Sequence, residues 1–172
     1  KYLAAGTAQE WDDLTAIIYG FNRSDGVTEI RETFTLPSVW TSTSGSFSFL
    51  ASKNQQFSYS ENGSGGMPLQ LDQQLVKIKM TVDDAGSNTT VYIGNGQLYC
   101  SGMFHYDSSS TTGVAGTWDY AGSQQTISVT AGGGTEFIAY ILPQTVTNAN
   151  KFFVVSSSDT NNAYYALPNG NF

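Results

Sequence analysis

The stretch Gln74-Leu75-Val76-Lys77-Ile78-Lys79-Met80-Thr81-Val82 decides the fold class. Val76, Ile78, Met80 and Val82 fall on one side of a two-residue period, and Lys77, Lys79 and Thr81 on the other. That is a half-buried β-strand with its lysines in solvent. Residues 28–36 repeat the pattern: Ile30, Phe34 and Leu36 alternate with Arg31, Thr33 and Thr35, and Glu32 interrupts the apolar face. Residues 136–142 are apolar on both faces, which predicts a central, fully covered strand. Further strands are expected over 15–20, 46–50, 56–60, 89–93, 97–106, 116–120, 126–130, 151–156 and 162–167. A short helical turn is open only at residues 8–14.

Turn chemistry separates these runs. Asp25-Gly26, Asn62-Gly63, Asn95-Gly96 and Asn169-Gly170 supply residues tolerant of positive φ. Gly94-Asn95-Gly96, between Val91-Tyr92-Ile93 and Gln97-Leu98-Tyr99, reads as a hairpin. The glycine- and serine-rich stretches 63–66, 108–113 and 132–134 are loops rather than linkers, because strands resume on both sides. The expectation is an all-β protein: an antiparallel β-sandwich of about ten short strands with little helix, in one domain over residues 1–172.

Composition agrees. Only 21 of 172 residues are charged, 12% against roughly 25% in an ordinary globular chain. Ser, Thr and Gly together supply 57 residues, and aromatics 13%. Polarity therefore comes from hydroxyls and amides, which suit strands and turns better than helices. The net charge of −7, with lysines and arginines scattered, argues against a nucleic-acid partner and against an anionic membrane surface. No apolar run is long enough to span a bilayer. The first residues lack the apolar stretch of a signal peptide, and the composition favours a secreted product already trimmed.

Chemistry-bearing constellations are weak. Cys100, the one cysteine, lies in a strand-like run and reads as a small buried hydrophobe rather than a nucleophile paired with His105, the one histidine. Glu32 and Glu136 are the pair that a small jelly-roll glycosidase would use, about 5–5.5 Å apart if retaining or about 6.5–9.5 Å if inverting; an ordinary structural role is the stronger reading. Asp12-Asp13 and Asp83-Asp84 are adjacent pairs whose members point to opposite strand faces and lack the alternation of a calcium loop. Gly63-Ser64-Gly65 lacks the spacing of a hydrolase elbow, and 132–134 precedes no helix that would present its N-terminus to phosphate. Trp11, Trp40, Trp118, Tyr120, Tyr164 and Tyr165 are available for a sugar-binding face, against the alternative that they fill the core. Asn22, Asn62 and Asn88 head glycosylation-type triplets, as chance allows in so Asn/Ser/Thr-rich a chain. No catalytic residue, cofactor or metal is expected, and no ligand-binding residue is assigned.

Two blocks together resemble the fimbrillin-like family, the type V pilin subunits of gut and oral anaerobic bacteria. The first is Leu69-Gln70-Leu71-Asp72-Gln73-Gln74-Leu75-Val76-Lys77-Ile78-Lys79-Met80, similar to that family's mid-domain strand. The second is Tyr140-Ile141-Leu142-Pro143-Gln144-Thr145-Val146 with Phe152-Phe153-Val154-Val155 and Tyr164-Tyr165-Ala166-Leu167-Pro168, similar to its late strand, Leu-Pro-Gln turn and following strand pair. The resemblance covers about residues 65–172. Gln73 and Val76 stand where the family often has His and Ala, and the chain stops before the family's Gly-x-x-Tyr strand. The resemblance implies a non-catalytic, extracellular structural or adhesive subunit of a cell-surface fimbria at the outer membrane. It further implies maturation from a lipoprotein precursor and assembly by β-strand donation from neighbouring subunits, with a host glycan or protein as a further partner. The alternatives are a carbohydrate-binding β-sandwich module and, behind it, a small glycoside hydrolase.

Overall fold

A computed structural model describes residues 15–18, 20–53, 55–58, 69–83, 85–86, 88–107, 116–147, 151–156 and 163–165. Among them there is no helix and there are fifteen strands. In order they are β1 (Thr15–Ile18), β2 (Phe21–Arg23), β3 (Phe34–Thr35), β4 (Val39–Trp40), β5 (Phe49–Ala51), β6 (Gln55–Ser58), β7 (Asp72–Gln73) and β8 (Val76–Thr81). There follow β9 (Thr90–Leu98), β10 (Ser101–Tyr106), β11 (Gly116–Ala121), β12 (Gln125–Thr130), β13 (Glu136–Ile141), β14 (Phe153–Ser156) and β15 (Ala163–Tyr165). The class is all-β and sandwich-like, as the alternation requires. The number exceeds the expected ten because β2, β3, β4 and β7 are two- or three-residue pairings too short to leave a periodic signature.

The largest sheet runs β15-β14-β9-β12-β4, and a three-stranded sheet runs β11-β10-β3. The others are β2-β5-β7, the pair β13-β8 and the pair β1-β6. All pairings are antiparallel except β4 with β12, which is parallel over Val39 and Trp40. Three chain segments cross between the large and the three-stranded sheet: one leads from β11 through residues 122–124 to β12, and the other two meet at a corner. Of these two, one runs from β3 through Pro37 to β4, the other from β9 through Tyr99 and Cys100 to β10. They meet where the Leu36 N–H donates to the Cys100 carbonyl at 2.7 Å. Strands that switch sheets at bends are how sandwiches turn their corners.

The strand nearest the middle of the large sheet is β9, hydrogen-bonded to both β12 and β14. Here the expected hairpin is not found. Gly94, Asn95 and Gly96 all have positive φ, at 91°, 47° and 77°, yet the chain keeps its direction. Ile93 faces Ile127 and Leu98 faces Gln125 on the same partner strand. Residues 94–97 stand against Thr126 alone, so the positive-φ run forms an enlarged bulge instead of a turn. Positive φ is the shared signature of both structures, so the local sequence does not separate them. Gly94 is further required because a Cβ there would collide with the Leu98 side chain, which is fully buried.

The reverse correction applies to β13. It is buried on both faces, at Phe137, Ala139, Tyr140, Ile141 and Leu142 just beyond it, but among the described residues its only ladder partner is β8. Its cover comes from packed side chains rather than from two flanking strands. Residues 28–36 also depart from expectation: Ile30, Phe34 and Leu36 are buried, while Glu32 sits in a turn, with only Phe34 and Thr35 in strand.

That turn is held by Arg23, whose side chain is wholly enclosed. Its guanidinium donates to the carbonyls of Glu29 (2.9 Å), Glu32 (2.8 Å) and Thr33 (3.1 Å) and forks onto Asp25 at 3.0 and 2.6 Å. It also lies 5.4 Å from the Phe34 ring and 5.6 Å from that of Phe49. All five donors of a planar fork thus find partners, which is the condition for burying an arginine. The same end of the core is aromatic. Phe49 of β5 meets Phe34, Phe104 and Trp118 of the three-stranded sheet at centroid distances of 5.4, 5.0 and 4.9 Å. The short helix considered at residues 8–14 and the turns at 62–63 and 169–170 lie outside the described residues.

Candidate functional site

Cross-strand register gives the β8–β13 ribbon two unlike faces. Phe137, Ala139 and Ile141 stand opposite Met80, Ile78 and Val76, and this face turns to the core. Glu136, Ile138 and Tyr140 stand opposite Thr81, Lys79 and Lys77, and directly opposed residues share a face. An open cleft of about 260 Å³ lies over this second face. It is lined by Glu136, Ile138, Tyr140 and Lys77 of the ribbon, by Trp40 and Thr130, and by Thr41, Ser42, Ser44, Gly45 and Ser46 of the turn that follows β4.

The turn is ordered by its own polar groups. The Thr41 N–H donates to Ser44 Oγ at 2.9 Å, the Ser44 N–H donates to the Thr41 carbonyl at 3.0 Å, and the hydroxyls of Thr41 and Thr43 lie 3.0 Å apart. Trp40 anchors it from below, fully buried against Phe47 (5.1 Å) and Tyr140 (5.8 Å). On the ribbon, Lys79 pairs with Glu136, both about half exposed. Lys77 has no carboxylate partner among the described residues; its ammonium rests 5.9 Å from the Tyr140 ring centroid.

The other candidates disperse. Glu32 is exposed in the Arg23-held turn and Glu136 is engaged by Lys79, so each has a structural setting. Cys100 is 3% exposed and burial pushes its thiol up, against a hydrogen bond from Gln125 that acts downward; the shift runs opposite to what a nucleophile needs. His105 faces solvent on β10, with Nε2 3.4 Å from Asp119 of β11. Among the aromatics, Trp40 is core, and Trp118 is half-buried with its indole N–H donating to the Gln74 carbonyl at 3.2 Å. Tyr120 is 40% exposed, stacked on Tyr99 at 5.2 Å and 8°, with its hydroxyl donating to the Pro143 carbonyl at 2.6 Å. Trp11, Asp12, Asp13, the 63–65 stretch and the side chains of Tyr164 and Tyr165 lie outside the described residues. No cluster of three or more His, Cys, Asp or Glu suited to a metal occurs among the described residues. Nor, among them, is any helix long and apolar enough to cross a membrane.

The residues of the cleft were not singled out by sequence, Trp40 and Glu136 excepted, and those two were read for other roles. Thr41 to Ser46 looks like any polar turn, and Lys77 like any solvent-facing strand lysine. Only the register that sets Lys77 opposite Tyr140, and the parallel pairing that seats β4 beside β12, bring them together. No protein-family model matches the chain, and no curated protein or solved structure matches it.

Proposed function

We propose that this protein is a non-catalytic extracellular structural or adhesive subunit of a fimbrillin-like bacterial pilus, joined to its neighbours by β-strand donation. The observation that carries the reading is the β8–β13 ribbon. Its six paired positions form a ladder with no third strand among the described residues, although β13 is apolar on both faces. A ribbon that carries one apolar face and has no third strand among the described residues is the element that strand addition uses: main-chain hydrogen bonds supply affinity and alternate side chains supply register. A charge-poor surface of hydroxyls and amides agrees with life outside the cell, and the two motif blocks, residues 69–80 and 140–146 with 152–155 and 164–168, resemble that family.

The test is the association state of the full precursor after limited trypsin treatment, followed by electrophoresis, microscopy and amide hydrogen exchange. Detergent-resistant ladders or filaments are expected, with the outer-edge amides of β8 and β13, which have no ladder partner among the described residues, slowing on assembly. A chain that stays monomeric throughout, or filaments in which those amides exchange unchanged, would overturn the reading.

A further inference from the structure

We infer that the cleft between the Thr41–Ser46 turn and the ribbon binds one acidic sugar residue, a carboxylate-bearing pyranose, with Lys77 as the carboxylate's partner. Size comes first. A volume of about 260 Å³ lies just below the roughly 300–1,000 Å³ of drug-sized ligand sites, and suits a single sugar ring. Lining comes second: Thr41, Ser42, Ser44 and Ser46 present both donors and acceptors, which matches a polyol rather than an apolar molecule. Preorganisation is third, since the turn is held by its internal hydrogen bonds and by buried Trp40.

Charge selects the class. Of the two ionised side chains in the cleft, Glu136 is already neutralised by Lys79. Lys77 is not neutralised, and it sits on the Tyr140 ring beside the hydroxyl wall. In a chain of net charge −7, an uncompensated cation facing a row of hydroxyls is an anion-selective feature, and a charge-assisted hydrogen bond is the stronger kind. The site lies on the ribbon's face and strand donation uses its edge, so either proposal can fail without the other.

The experiment is a chemical-shift titration of the intact chain with glucuronate and N-acetylneuraminate, alongside glucose and acetate. Expected are saturable millimolar shifts at residues 41–46, Lys77 and Tyr140 with at least one acid sugar, and about tenfold weaker binding of glucose and of acetate. Lys77→Gln, a solvent-facing change checked for unaltered melting, removes the preference for acid over neutral sugar. Glu136→Gln, which releases the Lys79 ammonium from its ion pair at the edge of the cleft, strengthens acid-sugar binding severalfold. Absence of saturable shifts with both acid sugars overturns the inference. So does glucose or acetate binding as tightly as the acids, a Lys77→Gln chain that keeps the preference, or shifts centred away from the cleft.

Discussion

The end of the core around Arg23 and the β8–β13 ribbon solve the same problem in opposite ways. Both carry cations next to aromatic rings. At the first, Arg23 is enclosed, all its donors are used, and the neighbouring rings of Phe34, Phe49, Phe104 and Trp118 interlock. At the second, Lys77 and Lys79 stand in solvent, one paired only with a half-exposed carboxylate and one lying over Tyr140. The first arrangement stabilises and closes; the second leaves charge, hydroxyls and, among the described residues, a ladder edge unpaired. Where polar groups are fully used inside, a region holds the fold, and where they are left over, it is free to meet something else.

That contrast is breakable. The largest effect is expected from Phe49→Ala, which empties the ring cluster joining two sheets and should lower unfolding free energy by about 4 kcal/mol in urea titration. Arg23→Met should follow at about 3 kcal/mol, because Asp25 and three turn carbonyls lose their buried partner. If either change proves mild, the distinction between a closed and an open end is wrong.

A pH experiment sharpens the same point. Burial pushes the Asp25 carboxyl up, but the Arg23 hydrogen bonds and charge and the Val27 N–H outweigh it and hold the group below its ordinary 3.8. A depressed folded-state value means that this stabilisation is complete above the unfolded value and is lost as pH falls through the folded one. The wild-type chain should therefore lose stability below about pH 4 more steeply than Asp25→Asn, compared by melting temperature across pH.

Smaller effects follow. Gln144 is buried, accepting from the Tyr99 N–H at 2.9 Å and donating to the Tyr99 and Leu142 carbonyls at 3.0 and 3.1 Å, so its amide stands in for a missing strand at the corner. Gln144→Leu should cost about 2 kcal/mol through the groups left unpaired. Lys79→Gln should change stability by less than about 0.5 kcal/mol, since both ends of its ion pair are half exposed and screened. A large loss there would show that the ribbon is held as tightly as the Arg23 end.

How much of this was legible in the sequence depends on the range of the interaction. The inward set of β8 and the burial of Ile30, Phe34, Leu36 and Cys100 were legible, because periodicity reports burial directly. The roles of β9 and β13 were not. The positive-φ run at 94–96 fits a hairpin as well as a bulge, and the doubly apolar pattern of β13 fits cover by side chains as well as by strands. Ladder neighbours are contacts between residues far apart in the chain, and local pattern does not encode them. The cleft was illegible for the same reason, being built from β4, β8, β12, β13 and one turn.

By itself, then, the sequence determined an all-β, charge-poor protein with alternating strands, because two-residue periodicity and turn chemistry act within a few residues. Only the tertiary structure decided which strand lies at the centre of the large sheet, which ribbon lacks a third strand among the described residues, where an arginine is enclosed and where a lysine is not. Those outcomes depend on which distant segments pack together and on whether each polar group finds a partner there.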